Sequence, residues 1–193
     1  MKYRLTYDFG SGSVKAALSD QNFHLCGIEN EPYQTYFPRL GWAEQKPEEH
    51  WQAMCAATHR LLQNTGVSPD AIEGIAMAQT GTTVIFVDDR GHPLTNCVMW
   101  MAGRADAQAR EITKKLGEKR FNGKNVYAKL LWFLQNRGDM VEEARYMLDV
   151  SALLFHRMTG EWVYEFTGAR SSGLVDVERR CWDPSMFDLI GFP

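Results

Sequence analysis

Asp8-Phe9-Gly10-Ser11-Gly12-Ser13-Val14-Lys15 is the stretch on which the reading of this chain turns. Ahead of it, Tyr3 to Phe9 alternates apolar and polar residues as a strand does, and the alternation stops at Gly10. Behind it, Val14 to Leu18 is apolar and ends in a second turn cluster, Ser19-Asp20-Gln21-Asn22. A segment that short does not sustain a helix, so a second strand is predicted, with a third over 23–36. Small residues in the first turn let backbone N–H groups approach a phosphate closely. Ser11 and Ser13 add hydroxyl donors, Lys15 adds a positive charge, and Asp8 at the strand end could hold a hydrated Mg²⁺. Rival phosphate loops fit badly. A dinucleotide fingerprint needs a third glycine and a following helix, and GxxxxGK[ST] is absent. The turn alone leaves an ordinary Gly/Ser hairpin open.

Working outward, Pro47-Glu48-Glu49 starts a helix, with proline at the first position and acidic groups in the first turn. Trp51, Met54, Cys55, Thr58, Leu61 and Leu62 recur at helical spacing up to Asn64-Thr65-Gly66. Ile72 to Ala78 and Val84 to Val87 read as buried strands. Helices are predicted over 104–116, 126–136, about 141–147 and 151–158, and a last short one over 183–189. Residues 162–177 read as extended or irregular. Strands first, then strands and helices in alternation, describe an α/β domain with a mixed sheet, and no linker or repeat divides the chain.

Composition narrows the function classes. Hydrophobic residues are 45% and charged residues 23%, as in an ordinary globular protein. A net charge of -3 gives no electrostatic case for nucleic acid or an anionic membrane. No apolar run approaches the roughly 20 residues that span a bilayer, and a cytoplasmic location is expected. Cys26, Cys55, Cys97 and Cys181 are dispersed without a CxxC pair, and the histidines show no HExxH. The run Lys114 to Arg120 reads as a solvated helix end, and Trp42, Trp51, Trp132 and Trp182 as packing residues.

The first loop resembles that of the actin, hexokinase and Hsp70 ATPase superfamily, and the remaining motifs resemble one branch, the FGGY carbohydrate kinases. Gly41-Trp42-Ala43-Glu44-Gln45-Lys46-Pro47, completed by Trp51, looks like that family's GWxEQxPxxxW segment. Gly74 to Gly81 resembles the strand entering the sugar pocket. Val84 to Asp88, Gly91, Pro93-Leu94 and Met99-Trp100 with Arg104 resemble its LLD…G.PL…ILWxDxR stretch. Lys129-Leu130-Leu131-Trp132 matches KLLW. Arg157 to Glu161 and Leu174 through Trp182 match the end of the family's first domain, and xylulokinases look nearest.

The resemblance implies a ribonuclease H-like, actin-like ATPase domain with a mixed sheet flanked by helices. Residues 1–193 would be the N-terminal, sugar-binding half of an ATP- and Mg²⁺-dependent kinase of a sugar or polyol hydroxyl, a pentulose such as xylulose above all. By motif match, Asp8 would serve the metal; Gly10, Ser11, Gly12, Ser13 and Lys15 the phosphates; and Thr80, Gly81, Thr82, Trp100 and Arg104 the sugar. The family's catalytic aspartate and its C-terminal ATP-binding domain would follow Pro193, so the chain alone is expected to be inactive. An uncovered cleft face would leave an apolar patch able to drive a homodimer. Ala102 stands where relatives usually carry aspartate, 117–128 is several residues short, and the pocket turn lacks a Met-His or Arg-Glu pair. A non-catalytic sugar-binding or regulatory protein on the same fold is the alternative.

Overall fold

The computed structural model describes residues 1–117 and 121–192. Glu118, Lys119 and Arg120 of the predicted helix end, and Pro193, lie outside the described residues. In chain order the elements are β1 (Tyr3–Phe9), β2 (Ser13–Asp20), β3 (Leu25–Pro32), β4 (Glu44–Gln45), α1 (Pro47–Thr65), β5 (Ile72–Gln79), β6 (Ile85–Val87), β7 (Cys97–Val98), α2 (Asp106–Leu116), α3 (Val126–Asn136), α4 (Gly138–Glu143), β8 (Tyr146–Leu148), α5 (Val150–Thr159), α6 (Phe166–Ser172), β9 (Val175–Asp176), β10 (Cys181–Trp182) and α7 (Pro184–Ile190). They form two compact units, one of Met1–Thr35 with Gln45–Thr80 and one of Tyr36–Glu44 with Gly81–Pro193.

The first unit is a four-stranded mixed sheet in the order β3-β2-β1-β5. β1 runs antiparallel to β2, with Asp8 opposite Lys15, and parallel to β5. Alternation along β1 sends Leu5, Tyr7 and Phe9 inward and leaves Thr6 and Asp8 on the outer face. α1 covers β2 and β3. Its contact is close at Gly27, where a Cβ would sit 2.7 Å from Thr65 Cγ2 and 3.0 Å from Leu61 Cδ1. The predicted helix is present, but its buried stripe is His50, Ala53, Met54, Ala57 and Leu61, while Cys55 is exposed. Gly66 ends it at φ 67, and its N–H bonds Leu62 O. β5 is a strand as predicted but not a buried one: Ile75 is 52% exposed. α1 lies over β2 and β3, and β5 is the far edge of the sheet.

In the second unit β6 is fully buried and pairs antiparallel with β8, Ile85 opposite Leu148. The helix predicted near 141–147 is therefore split. α4 ends at Glu143, and Tyr146 to Leu148 is drawn out as the partner of β6. α3 brings Tyr127, Leu130, Leu131 and Phe133 into the core, with the Phe133 and Phe86 rings 4.9 Å apart. The predicted irregular stretch 162–177 contains a helix, α6, whose first turn is capped by the Glu165 carboxylate through Thr167 and Gly168 N–H. Asp183 caps α7 as its Asp-Pro start suggests. Trp182, expected to be packed, is exposed.

Candidate functional site

Of the residues singled out in the sequence, Asp8, Gly10, Ser11, Gly12, Ser13, Lys15 and Thr80 belong to the first unit. Gly10 N–H donates to Ser13 O at 3.0 Å, which closes the hairpin between β1 and β2. Asp8 and Lys15 meet on the outer face, Oδ2 to Nζ 3.5 Å, both more than half exposed. A pair that open to water contributes little to stability, so its residues are not committed to the fold. At the β5 end, Thr80 donates both its N–H (2.9 Å) and its hydroxyl (3.1 Å) to Phe9 O.

The loop's carbonyl oxygens are all engaged by donors of the same unit. Tyr33 OH donates to Gly10 O at 2.6 Å and Tyr33 N–H to Gly12 O at 3.0 Å. Thr35 Oγ1 (3.2 Å) and Gln45 Nε2 (2.8 Å) donate to Ser11 O. A Cβ built on Gly12 would meet no atom within 4 Å, so the space before the loop is open. Backbone of this kind suits an anion, which a carbonyl dipole would repel. Among the described residues no cluster of three or more His, Cys, Asp or Glu could hold a metal. One carboxylate, Asp8, still fits Mg²⁺, which keeps much of its water and takes a carboxylate plus phosphate oxygens.

Gly81, Thr82, Trp100 and Arg104 belong to the second unit. Thr82 sits at φ 58, a left-handed conformation that a β-branched residue rarely adopts. Lys129, fully buried on α3, donates from Nζ to Thr82 O at 2.9 Å and to Met99 O at 2.8 Å. It thereby ties the Thr82 turn to the segment that carries Trp100, which is itself part exposed. Burial lowers the Lys129 ammonium to about 7; neighbouring Cys97 opposes the shift and Arg104 adds to it. Cys97 is itself pushed up to about 12 by burial.

Arg104 does not stand open to a ligand. Its side chain is 2% exposed, Nη2 lies 2.6 Å from Glu44 Oε1, and the guanidinium stacks 3.8 Å from the Trp42 ring. Burial lowers its pKa and Glu44 works against that shift. Asn96 Nδ2 donates to the other Glu44 oxygen at 2.9 Å. Ala102 is fully buried.

Sequence reasoning missed the supporting residues. Tyr33, Thr35, Gln45 and His50 stand behind the loop, and Glu44, Trp42 and Lys129 stand behind Arg104 and Thr82. In the sequence Glu44, Gln45 and Lys129 are motif letters without a role, whereas Trp42 packs as expected, its ring 5.3 Å from that of Trp132. A polar residue inside an apolar helix, such as Lys129 in Val126 to Leu134, was the available signal.

A glycine-rich β-hairpin loop on a mixed sheet flanked by helices defines the actin-like ATPase class of folds. The profile described as FGGY family of carbohydrate kinases, N-terminal domain, matches residues 3–193. The chain belongs to that family. Glycerol kinase of Thermococcus gammatolerans is 29% identical over 204 residues, covering 100% of this chain and 41% of that protein. Gluconokinase of Bacillus subtilis is 27% identical, covering 98% of this chain and 38% of that protein. The crystal structure of xylulose kinase from Rhodospirillum rubrum superposes with a TM-score of 0.91 at 20% identity, over 100% of this chain and 41% of that one, and this likeness speaks for the fold. The chain thus spans about two fifths of the length of the relatives it matches. These relatives carry three different substrate names, so the expected pentulose is not singled out.

Proposed function

We propose that this chain is the sugar-binding half of an ATP-dependent carbohydrate kinase that moves the γ-phosphoryl group of ATP to a sugar or polyol hydroxyl. The observation that carries the reading is the loop Gly10 to Ser13, with its carbonyls held from behind and open space at Gly12. Backbone N–H groups of the loop, the Ser11 and Ser13 hydroxyls and the Lys15 ammonium bind the phosphates. Asp8 would hold a hydrated Mg²⁺, which when bound would offset the charge on the phosphate oxygens. By motif match Thr80, Gly81, Thr82 and Trp100 serve the acceptor, while Arg104 acts indirectly by holding Trp42 and Glu44. Xylulose is the first acceptor to try, from the KLLW and Arg157-to-Glu161 resemblance; glycerol and gluconate follow from the relatives' names. No described helix is long and apolar enough to cross a membrane, and a cytoplasmic kinase is the simplest setting. Self-association as a dimer through an uncovered apolar face is read by sedimentation.

Phosphoryl transfer rests on positioning and charge stabilisation by both halves of such an enzyme. The chain alone is therefore expected to bind MgADP and to release no ADP from ATP with xylulose, glycerol or gluconate. Lys15→Ala should weaken MgADP binding at least tenfold, measured by calorimetry. Undiminished binding in Lys15→Ala and Asp8→Ala together would defeat this use of the loop. The second reading, a non-catalytic sugar-binding protein, draws support from Ala102 and the buried Arg104. It predicts tight acceptor binding that MgADP does not alter.

A further inference from the structure

We propose that Gln45, oriented by His50, is a positioning residue that sets the polarity of the Gly10-to-Ser13 loop toward a polyphosphate. The inference rests on the loop's reading as a phosphate site. It starts from the one group in the network whose role is fixed: the Ser11 carbonyl can only accept. The Gln45 atom 2.8 Å away must then be the amide nitrogen, whose second N–H goes to Thr35 Oγ1, also at 2.8 Å. Thr35 passes its own hydroxyl proton to Ser11 O. With the nitrogen committed, Gln45 Oε1 must face His50 Nε2, again at 2.8 Å, and it too can only accept. His50 therefore carries its proton on Nε2.

The rest of the site agrees with that tautomer. His50 Nδ1 is buried and, among the described residues, has no hydrogen-bond partner, so a second proton there would be stranded. The ring is 2% exposed and packs edge-on against Tyr33 at 4.5 Å, and burial holds the imidazole neutral, its pKa lowered to about 4. Gln45 is 1% exposed. A flipped Gln45 amide would set oxygen against the Ser11 carbonyl and NH₂ against an imidazole donor, so the relay has one low-energy orientation. Its output is that the Ser11 C=O is drawn into the unit. A C=O turned the other way would meet a bound polyphosphate dipole against charge.

The test compares two variants of nearly equal volume at pH 7.5. Gln45→Met removes the donor; Gln45→Glu keeps an acceptor toward His50 and aims a second oxygen at Ser11. Inorganic triphosphate affinity is measured by calorimetry, amide hydrogen exchange is followed at Ser11 to Ser13, and His50 ¹⁵N shifts report the tautomer. The expected order is wild type tightest, Gln45→Met weaker by about tenfold, and Gln45→Glu weaker again by a similar factor. Loop amides should exchange faster in the same order while those of β1 and β2 hold. Wild-type His50 should show Nε2–H with a bare Nδ1. Equal losses in the two variants, or loop exchange unchanged in both, would overturn the proposal. Should Gln45→Glu not fold, Thr35→Val, which removes one donor to Ser11, must show the smaller change in loop exchange. A wild-type chain that ignores triphosphate would sink the phosphate-site reading, and the exchange and tautomer data would still decide the role of Gln45.

Discussion

Two neighbouring residues of one short strand solve the same problem in opposite ways. Gln45 holds backbone from behind with a neutral amide whose hydrogen bonds go to Ser11, Thr35 and His50. Glu44 holds a buried cation, Arg104, against Trp42, and within the same unit a second buried base, Lys129, gathers the Thr82 and Met99 carbonyls. Neutral networks cost little to bury when their groups are paired, as both ends of the Gln45 amide are. Buried ions cost several kcal/mol each unless the partner stays in place. The first arrangement should therefore tolerate loss of a member far better than the second, and it should answer to pH in a different range.

That contrast can be broken most easily at Glu44. Glu44→Ala leaves the Arg104 charge enclosed without a counter-ion and should cost about 3–5 kcal/mol in urea unfolding, against about 1–3 kcal/mol for Gln45→Met. Equal costs would erase the distinction between the charged and neutral supports. The next effect is a pH slope. Lys129 is depressed to about 7 from an ordinary 10.5, so the unfolded chain binds more protons between those values. Stability should be fullest above the upper value and lost as pH falls through 7, by on the order of 5 kcal/mol at most, and Lys129→Met should remove that slope.

His50 gives a smaller slope in an acid window. Its pKa is lowered to about 4 from 6.5, so its contribution is complete above 6.5 and is lost as pH falls through 4. The ceiling is about 3 kcal/mol, read as the difference between wild type and His50→Asn, so that carboxylate titrations cancel. Non-overlapping windows would sharpen the comparison, and a shared one would end it. Least of all, Tyr33→Phe removes one bond to Gly10 O and should cost about 1 kcal/mol, because Tyr33 N–H still holds Gly12 O.

What the sequence disclosed and what it hid follow from the range of the forces involved. The β1–β2 hairpin was legible because its strand alternation and Gly/Ser turn are local, and the start and end of α1 because Pro47 and Gly66 act on their own turns. The buried face of α1 was not, because His50 goes inside only by virtue of Gln45 and Tyr33, which no spacing rule knows about. Tyr146 to Leu148 reads as helix until β6 supplies its partner. α6 was hidden by a glutamate cap and an internal glycine, Gly168. At the site, the groups of the loop itself could be read off eight residues. The donors behind it come from positions 33, 35 and 45 and only the fold assembles them.

The interleaving of the two units has a consequence for anyone dividing this protein. The first unit is assembled from 1–35 and 45–80, and the nine residues between them belong to the second. A scissor cut after Thr80 would carry off Trp42 and Glu44 with the wrong piece and strand Arg104 in the other. Neither unit is a cassette: grafting, shuffling or circular permutation has to treat Tyr36–Glu44 as freight of the longer segment, spliced back to it by design.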